Sequence, residues 1–249
     1  MNTDKTQWRL AIPGKMIHSN EVHLWRVFLD LPAFQTQKML GNLSTDEVVR
    51  AQRFHFQRDQ NRFTVARGVL RQILGYYLGD NPNKLRFEYT AKGKPVLAGD
   101  SCCDTIGFNL SHCGPFALYA IARCSDIGID IERVRRDIAI EEIAHRFFAP
   151  GEINTLKTIH ENKRYEAFFQ YWTRKEAVLK AKGEGLSFPT EQVDVSLMNG
   201  KDLSAVTLPG NGDKSKQWYV KDLFLNHDYV GAIAVEGADW KFSCWHHSA

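Results

Sequence analysis

Residues 127–132 have the sequence Ile127-Gly128-Ile129-Asp130-Ile131-Glu132, in which isoleucine alternates with other residues. Successive side chains of a strand point to opposite faces, so the pattern predicts three isoleucines on one face and two carboxylates on the other. Carboxylates this close repel each other unless a cation or a shared proton lies between them, and such oxygen ligands suit Mg²⁺ or Mn²⁺. An edge strand with a solvated acidic face would give the same pattern.

A predicted helix over residues 168–182 changes the balance between these two interpretations. Its apolar stripe contains Phe168, Trp172 and Leu179, and Glu176 stands on the same stripe, where an apolar residue belongs. Lys180 follows four residues later on that face. A third carboxylate and an ammonium are therefore predicted to join the two carboxylates of the strand, in an arrangement that suits a metal-bound phosphate.

Composition limits the possibilities only broadly. The chain has 249 residues, 43% of them hydrophobic, which is enough for one large domain or two modest ones. The net charge of +3 is mild, but arginines crowd one helical region and indicate an anionic ligand or an acidic partner. Of these, Arg62, Arg67 and Arg71 are equally compatible with a solvated helix face and with a docking surface.

The five cysteines are odd in number and lack the C-x-x-C spacing of a structural zinc site, so we expect reduced thiols. Residues 1–10 are polar, and no apolar run approaches the ~20 residues that span a bilayer. The sequence therefore predicts a cytoplasmic protein without a membrane partner. The terminal pair His246-His247 is interpreted as a frayed tail.

The two halves of the chain follow one plan, namely a strand, a short helix with Arg-Phe, a long helix and antiparallel strands. The predicted fold class is α+β, with two similar pseudo-symmetric subdomains, an antiparallel sheet and a long packed helix in each, and an active site at their interface. The predicted boundary lies near residues 123–126, giving subdomains 1–124 and 125–249, the second with the acidic residues. The predicted strands are 22–29, 85–89, 106–110, 116–122, 127–132, 193–197, 218–225 and 229–235; the predicted long helices are 59–78 and 168–182, with shorter ones after Ser44 and around 140–148, and a loop over 111–115.

Six motifs in this order resemble the Sfp-type (surfactin-synthetase-activating) family of 4′-phosphopantetheinyl transferases. The resemblance covers most of the chain. The motifs are Gly93-Lys94-Pro95, Phe108-Asn109-Leu110-Ser111-His112, Gly128-Ile129-Asp130-Ile131-Glu132, Arg146-Phe147-Phe148, Trp172-Thr173-Arg174-Lys175-Glu176-Ala177-Val178-Leu179-Lys180 and Gly183-Glu184-Gly185-Leu186-Ser187.

The resemblance implies that Asp130, Glu132 and Glu176 hold Mg²⁺ together with the pyrophosphate of coenzyme A. This agrees with the chemistry of the residues, because Mg²⁺ is usually bound by a few carboxylates plus substrate phosphates. Mn²⁺ is an alternative, and Ile131 between the two strand carboxylates offers the ion no further ligand.

The resemblance also assigns residues to the substrate. Lys180 is implied to contact the pyrophosphate and to assist departure of the nucleotide. Glu152 is a candidate base, with a metal-bound water, Glu132 or another carboxylate as alternatives. The other implied coenzyme A contacts are Arg53, Lys94 for the 3′-phosphate, Ser111 and His112. For Lys175 three roles stay open: contact with the carrier protein, contact with phosphate, or simple solvation.

The activity implied is transfer of 4′-phosphopantetheine from coenzyme A to a serine of an apo acyl or peptidyl carrier protein, with release of adenosine 3′,5′-bisphosphate. The partners expected are the carrier protein and coenzyme A, without nucleic acid, for a monomeric enzyme. Two alternatives stay open: a non-catalytic module that binds coenzyme A or carrier protein, and a metal-dependent phosphohydrolase.

Overall fold

The computed structural model describes residues 6–10, 16–99, 106–123, 126–183, 185, 188–196, 203–208 and 217–247. Several residues considered in the sequence analysis lie outside these ranges, namely Cys102, Cys103, Cys124, Glu184, Leu186, Ser187 and Leu197. The helices are α1 (Ala33–Leu40), α2 (Thr45–Gln52), α3 (Gln57–Leu78), α4 (Ile140–Phe147), α5 (Pro150–Thr158) and α6 (Glu161–Lys182). The strands are β1 (Arg9–Leu10), β2 (Glu21–Phe28), β3 (Phe87–Tyr89), β4 (Pro95–Leu97), β5 (Ile106–Cys113), β6 (Phe116–Arg123), β7 (Ile127–Arg133), β8 (Ser204–Ala205), β9 (Trp218–Asn226), β10 (Tyr229–Glu236) and β11 (Lys241–His246).

The chain forms two compact units, each assembled from separate segments. The N-unit consists of Trp8–Phe108, His112–Cys124 and Lys241–Ala249, and the C-unit of Met1–Gln7, Asn109–Ser111 and Ser125–Trp240. Each unit contains a β-sheet and one helix of 22 residues, α3 or α6. The predicted α+β class is therefore confirmed, whereas the division of the chain at residue 124 stays a prediction.

The N-unit is built on a five-stranded sheet with the strand order β1-β11-β2-β6-β5. Strands β2 and β6 are antiparallel, whereas β11 lies parallel to β2 and brings the end of the described chain into the sheet. Helix α3 packs against the sheet, and the Tyr119 hydroxyl on β6 donates a hydrogen bond of 2.9 Å to the Ala66 carbonyl. The prediction of a frayed tail is wrong for His246, because this residue ends β11 and its ring pairs with Arg26 at 3.0 Å.

Helix α2 begins at a capping box, as the sequence predicts. The Ser44 backbone N–H donates to the Glu47 carboxylate at 3.1 Å, which satisfies one of the free amides at the helix start. Beyond α3, strands β3 and β4 form a separate antiparallel hairpin in which Tyr89 is paired with Pro95. Arg53 directly follows α2, and Lys94 lies in the turn of this hairpin.

The C-unit has a four-stranded sheet in the order β7-β10-β9-β8, packed against α6. The predicted acidic strand is therefore an edge strand, as β7 pairs with β10 on one side only. Ile127, Ile129 and Ile131 are all buried, in agreement with the predicted alternation. Asn109 contributes to this edge, because its side-chain oxygen accepts a hydrogen bond of 2.9 Å from the Ile129 backbone.

Two further details differ from the sequence prediction. Residues 111–113 were predicted as loop but belong to β5, and the turn that follows consists of Gly114 and Pro115 alone. The pair Ser111-His112 thus lies on a regular strand, with Ser111 buried and His112 exposed, as alternation requires. Helix α5 was not predicted, since its pattern is short and begins with Pro150-Gly151.

Candidate active site

Glycine 128 allows the acidic face of β7 to lie directly against α6. A Cβ at this position would overlap the Ala177 carbonyl oxygen and the Ala181 backbone nitrogen. Asp130 and Glu132 follow on the same face of the strand at intervals of two residues. The face that could have been solvated is thus covered by the helix that carries Glu176 and Lys180.

Asp130 is the centre of a small polar cluster in the C-unit. Its Oδ1 accepts hydrogen bonds from the Ser111 hydroxyl at 2.8 Å and from the Lys180 ammonium at 2.6 Å. Lys180 also donates to the Ser111 hydroxyl oxygen at 2.9 Å, so the three side chains form a closed triangle. Three residues distant in sequence, all predicted to contact coenzyme A or its metal, are therefore brought together.

Glu176 lies beside this cluster and its protonation is strongly affected. Burial and then the negative charge of Asp130 raise the pKa of Glu176 to about 7, Lys180 lowers it, and Glu132 raises it. The raised pKa of Glu176 is the expected response of a half-buried carboxyl near two other carboxylates. It shows that the three acids predicted as metal ligands share one electrostatic environment.

The donor set at this site suits a divalent cation. Three carboxylates share the site, and Asp130 Oδ2 is buried without a hydrogen-bond partner in the described part of the chain. A hard cation would bind such an oxygen and would offset the two effects, burial first and repulsion second, that raise the pKa of Glu176. The chemistry of the residues therefore fits Mg²⁺ or Mn²⁺.

The side-chain positions, however, do not form a ready metal site. Within the described ranges no group of three or more His, Cys, Asp and Glu side chains is arranged to hold a metal ion. Lys180 pairs with Asp130 Oδ1, and this ion pair supplies the positive charge at that oxygen. The assignment of Asp130, Glu132 and Glu176 as metal ligands stays a prediction.

Arg53 lines a surface pocket of about 940 Å³ in the N-unit. The pocket combines two cations, an acidic residue and apolar surface, a composition that suits a phosphorylated aromatic ligand. Helix α2 and the residues that follow it form most of the wall, and the β3 strand contributes one aromatic ring. The lining residues are Thr45, Asp46, Val49, Arg50, Arg53, Phe54 and Tyr89.

Lys94 lies on the turn of the β3–β4 hairpin, and its backbone is fixed there. The Lys94 N–H donates to the Thr90 hydroxyl at 3.1 Å, and the Thr90 N–H donates to the Lys94 carbonyl at 2.9 Å. Gly93 has a φ of 82°, which the turn requires and which glycine adopts without strain. Pro95, the residue after Lys94, is the strand partner of the pocket residue Tyr89 in the hairpin.

Glu152, the candidate base, is fully buried. Its carboxylate accepts hydrogen bonds from the Ala149 and Val195 backbone nitrogens at 2.8 and 2.9 Å and pairs with Lys175 at 2.8 Å. Burial is the main influence on both partners, raising the pKa of Glu152 and lowering that of Lys175. The enclosure of Glu152 argues against contact with a carrier serine, although the role of base stays a prediction.

Lys175 was predicted to be solvated or to contact the carrier or phosphate, and all three roles conflict with its burial. Only 3% of its side chain is exposed, and its ammonium donates to the carbonyls of Thr190 and Val193. The sequence signal available was position alone: Lys175 precedes Glu176 and so points about 100° away from it around the helix. That direction leads into the C-unit core rather than to solvent.

The arginines of α3 likewise differ from the prediction. Arg67 and Arg71 are buried, so neither a solvated face nor a docking surface describes them, while Arg62 forms a bidentate pair with Asp30 at 2.6 and 2.7 Å. Both buried arginines pair with Glu47 of α2. The sequence does not reveal that Glu47 faces these two arginines, because this depends on how α2 packs against α3.

Comparison with known proteins gives matches in both parts of the chain. Residues 126–234 match the model of the 4′-phosphopantetheinyl transferase superfamily, and residues 33–124 match that of the 4′-phosphopantetheinyl transferase N-terminal region. The 4′-phosphopantetheinyl transferase HetI of Nostoc sp. (strain PCC 7120) is 38% identical over 96% of this chain and 98% of its own. The chain belongs to the 4′-phosphopantetheinyl transferase superfamily.

Further relatives support this membership at lower identity. A putative 4′-phosphopantetheinyl transferase of Synechocystis sp. is 33% identical over 85% of both chains. The 4′-phosphopantetheinyl transferase Sfp of Bacillus subtilis is 26% identical over 87% of this chain and 93% of its own. The predictions of the family and of a transferase enzyme are confirmed. No helix within the described ranges combines the length and hydrophobicity required to cross a membrane.

Proposed function

We propose that this superfamily member transfers the 4′-phosphopantetheine group of coenzyme A to a serine hydroxyl of an apo acyl or peptidyl carrier protein. The observation that carries the proposal is the convergence of Asp130, Ser111 and Lys180 beside the perturbed carboxyl of Glu176. Such a site offers an ammonium, a hydroxyl and carboxylates for a metal-bound pyrophosphate. These are the groups that phosphoryl transfer requires, because its catalysis consists largely of positioning and charge stabilisation.

In the reaction one phosphorus–oxygen bond forms and one breaks. The carrier serine oxygen attacks the phosphorus on the pantetheine side of the pyrophosphate, and the bond from this phosphorus to the bridging oxygen breaks. The bridging oxygen leaves with its electron pair as part of adenosine 3′,5′-bisphosphate. The serine proton passes to solvent or to the half-buried Glu132, whereas the enclosed Glu152 has a structural role.

Lys180 stabilises the leaving group. Its ammonium is half-buried and already held at the cluster by Asp130 and Ser111, so little reorganisation is needed when negative charge builds on the departing oxygen. A Mg²⁺ or Mn²⁺ ion bound by Asp130, Glu132 and Glu176 would supply a Lewis acid that polarises the phosphorus. With such an ion in place, the three carboxylates would hold the positive charge that an anionic substrate needs at this site.

The nucleotide end of coenzyme A binds the basic residues of the N-unit. Arg53 lies on the wall of the surface pocket, and Lys94 lies on the hairpin that also carries the pocket residue Tyr89. His112 is exposed near the end of β5 and is the residue that the resemblance assigns to phosphate oxygens. Two arginines and an aromatic ring in one pocket suit a phosphorylated adenosine, since guanidinium groups bind phosphate and aromatic rings stack on bases.

Intact mass spectrometry of apo carrier proteins tests the proposal. A fatty-acid and a peptide-synthase carrier are each incubated with this protein, coenzyme A and Mg²⁺, beside a reaction with EDTA. A metal-dependent gain of one phosphopantetheine, lost when the carrier serine is changed to alanine, is the expected result. Release of phosphopantetheine without any carrier would instead indicate a phosphohydrolase, and binding of coenzyme A without either reaction would indicate a binding module.

A further inference from the structure

The pocket that contains Arg50 and Arg53 has walls from two elements, and a buried ionic network lies behind both. Helix α2 contributes Arg50, the C-cap residue Arg53 follows the helix directly, and strand β3 contributes Tyr89. Glu47 points from α2 into the protein and is 1% exposed. Its two carboxylate oxygens bind the Nε atoms of Arg67 and Arg71, at 2.6 and 2.5 Å.

The same two arginines also hold the β3 strand and the segment that precedes it. Arg71 Nη1 donates to the carbonyls of Pro82 and Leu85 at 2.9 and 2.8 Å. The guanidinium carbons of Arg67 and Arg71 lie 4.7 and 4.9 Å from the centre of the Phe87 ring. Phe87 starts β3, so its strand is fixed from beneath by the cations that bind Glu47.

Tyr89 completes the connection between network and pocket. It lies two residues beyond Phe87 and therefore on the same face of β3. Arg67 Nη2 donates a long hydrogen bond of 3.4 Å to the Tyr89 hydroxyl. Arg67 is thus shared between Glu47, which is part of the helix of one wall, and Tyr89, which is part of the other wall.

The network also has unequal charges. Two guanidinium groups surround one carboxylate, and within the described ranges their other hydrogen bonds go to the Pro82 and Leu85 carbonyls and to the Tyr89 hydroxyl. The positive charges of Arg71 and Arg67 contribute to the lowered pKa of Asp46, after its hydrogen bond to Ser44. Asp46 lines the pocket, so the positive charge of the two arginines reaches the pocket wall, where the Asp46 carboxylate offsets part of it.

We propose that the Glu47, Arg67 and Arg71 network positions the two walls of this pocket and adds positive potential to it, and so sets the affinity for the phosphorylated adenosine end of coenzyme A. The inference rests on the proposed function. Arg67 acts through Tyr89 and α2, and is a positioning residue. Arg71 fixes the start of the hairpin whose turn carries Lys94, so the same network orients the lysine predicted to bind the 3′-phosphate.

Steady-state kinetics of Arg67→Gln test this role, with Arg62→Gln as the matched control. Arg62 lies on the same helix and pairs with Asp30 outside the network. For Arg67→Gln we expect the KM for coenzyme A to rise about tenfold, with kcat and the KM for the carrier within about twofold of the wild type. The preference for coenzyme A over 3′-dephospho-coenzyme A should fall as well, whereas Arg62→Gln should keep all four values.

The outcomes separate this inference from the proposed function. If the wild-type protein transfers no phosphopantetheine in this assay, the proposed function is wrong. If the wild type is active and Arg67→Gln has an unchanged KM for coenzyme A, only the proposed role of the network is wrong. Equal losses in kcat for both coenzymes would also contradict positioning of the pocket, because they indicate general damage to the fold. If Arg67→Gln does not fold, Tyr89→Phe decides: it removes only the hydroxyl that Arg67 binds, and an unchanged KM for coenzyme A would overturn the proposal.

Discussion

The carbonyl oxygen of Ala177 lies where a side chain on Gly128 would stand, so β7 and α6 are in contact through a residue without a Cβ. This contact brings the carboxylate of Asp130 within reach of Lys180, one turn further along the helix. The glycine of the acidic motif is therefore as much a part of the site as its carboxylates. A larger residue would have to separate the strand from the helix.

We predict that Gly128→Ala destabilises the protein by more than about 3 kcal/mol, because backbone atoms of α6 cannot rotate away as a side chain could. Urea unfolding followed by circular dichroism measures the change. Gly151→Ala is the control: its added Cβ would meet only Asp194, at 3.9 Å, and we expect a gain of about 0.5 kcal/mol from lower chain entropy. Equal stability of the Gly128→Ala variant and the wild type would show that β7 and α6 are further apart.

Lys180 should affect turnover more than stability. We predict that Lys180→Gln lowers kcat for phosphopantetheine transfer by about a hundredfold, because the leaving oxygen loses its nearest cation. The variant keeps a hydrogen-bonding side chain near Asp130 and Ser111 but leaves the buried Asp130 carboxylate without its cation, so we expect a moderate loss of stability and compare kcat per folded molecule. Lys163→Gln, an exposed substitution on the same helix, serves as the control. A Lys180→Gln enzyme with wild-type kcat would exclude this lysine from leaving-group stabilisation.

Glu176 should make the stability of the metal-free protein depend on pH. Its pKa is raised from 4.5 to about 7, so the folded state holds the proton more tightly than the unfolded state does. The free energy of unfolding therefore falls as pH rises from about 4.5 to about 7, by at most roughly 3 kcal/mol, and stays low above that range. Glu176→Gln, which imitates the protonated acid, should remove this part of the pH dependence.

The measurement is urea unfolding of both proteins in EDTA between pH 5 and pH 8, since their difference removes the contribution of other groups. A divalent cation that binds the site should stabilise the wild type at pH 8 by mass action and should stabilise Glu176→Gln much less. Identical pH profiles in EDTA would contradict the raised pKa that burial and the neighbouring carboxylates give Glu176. Identical stabilisation by Mg²⁺ would contradict its role as a metal ligand.

Much of the fold was accessible from sequence because its signals are local. Alternation identifies β7, and a capping box marks the start of α2 at Ser44. The resemblance selected Asp130, Ser111 and Lys180, and the structure places these three in mutual hydrogen-bonding distance. Each of these inferences depends either on residues a few positions apart or on a short motif.

The features that sequence did not predict depend on contacts between distant segments. Arg67 and Arg71 have the spacing of an exposed basic face, and only the position of Glu47 on the neighbouring helix makes their burial favourable. Lys175 is a charged side chain buried in the core of the C-unit, whereas its residue type alone would predict a position in solvent. Strand β11 joins its sheet in parallel from more than 200 residues away along the chain, and no short-range pattern reveals such a partner.

Glu152 and Lys175 provide the clearest choice between a catalytic and a structural role. Their ion pair at 2.8 Å is buried, and it connects α5 and α6 with the segment around Val195. We predict that Glu152→Gln costs about 3 kcal/mol or more, because it leaves the Lys175 charge buried without its partner, while kcat per folded molecule stays within about twofold of the wild type. The double variant Glu152→Gln/Lys175→Met should be more stable than the single one, since it also removes the stranded charge. Urea unfolding and single-turnover transfer to an apo carrier measure the two quantities separately. A general base would give the opposite result, with stability preserved, turnover reduced by about a hundredfold or more, and no rescue in the double variant.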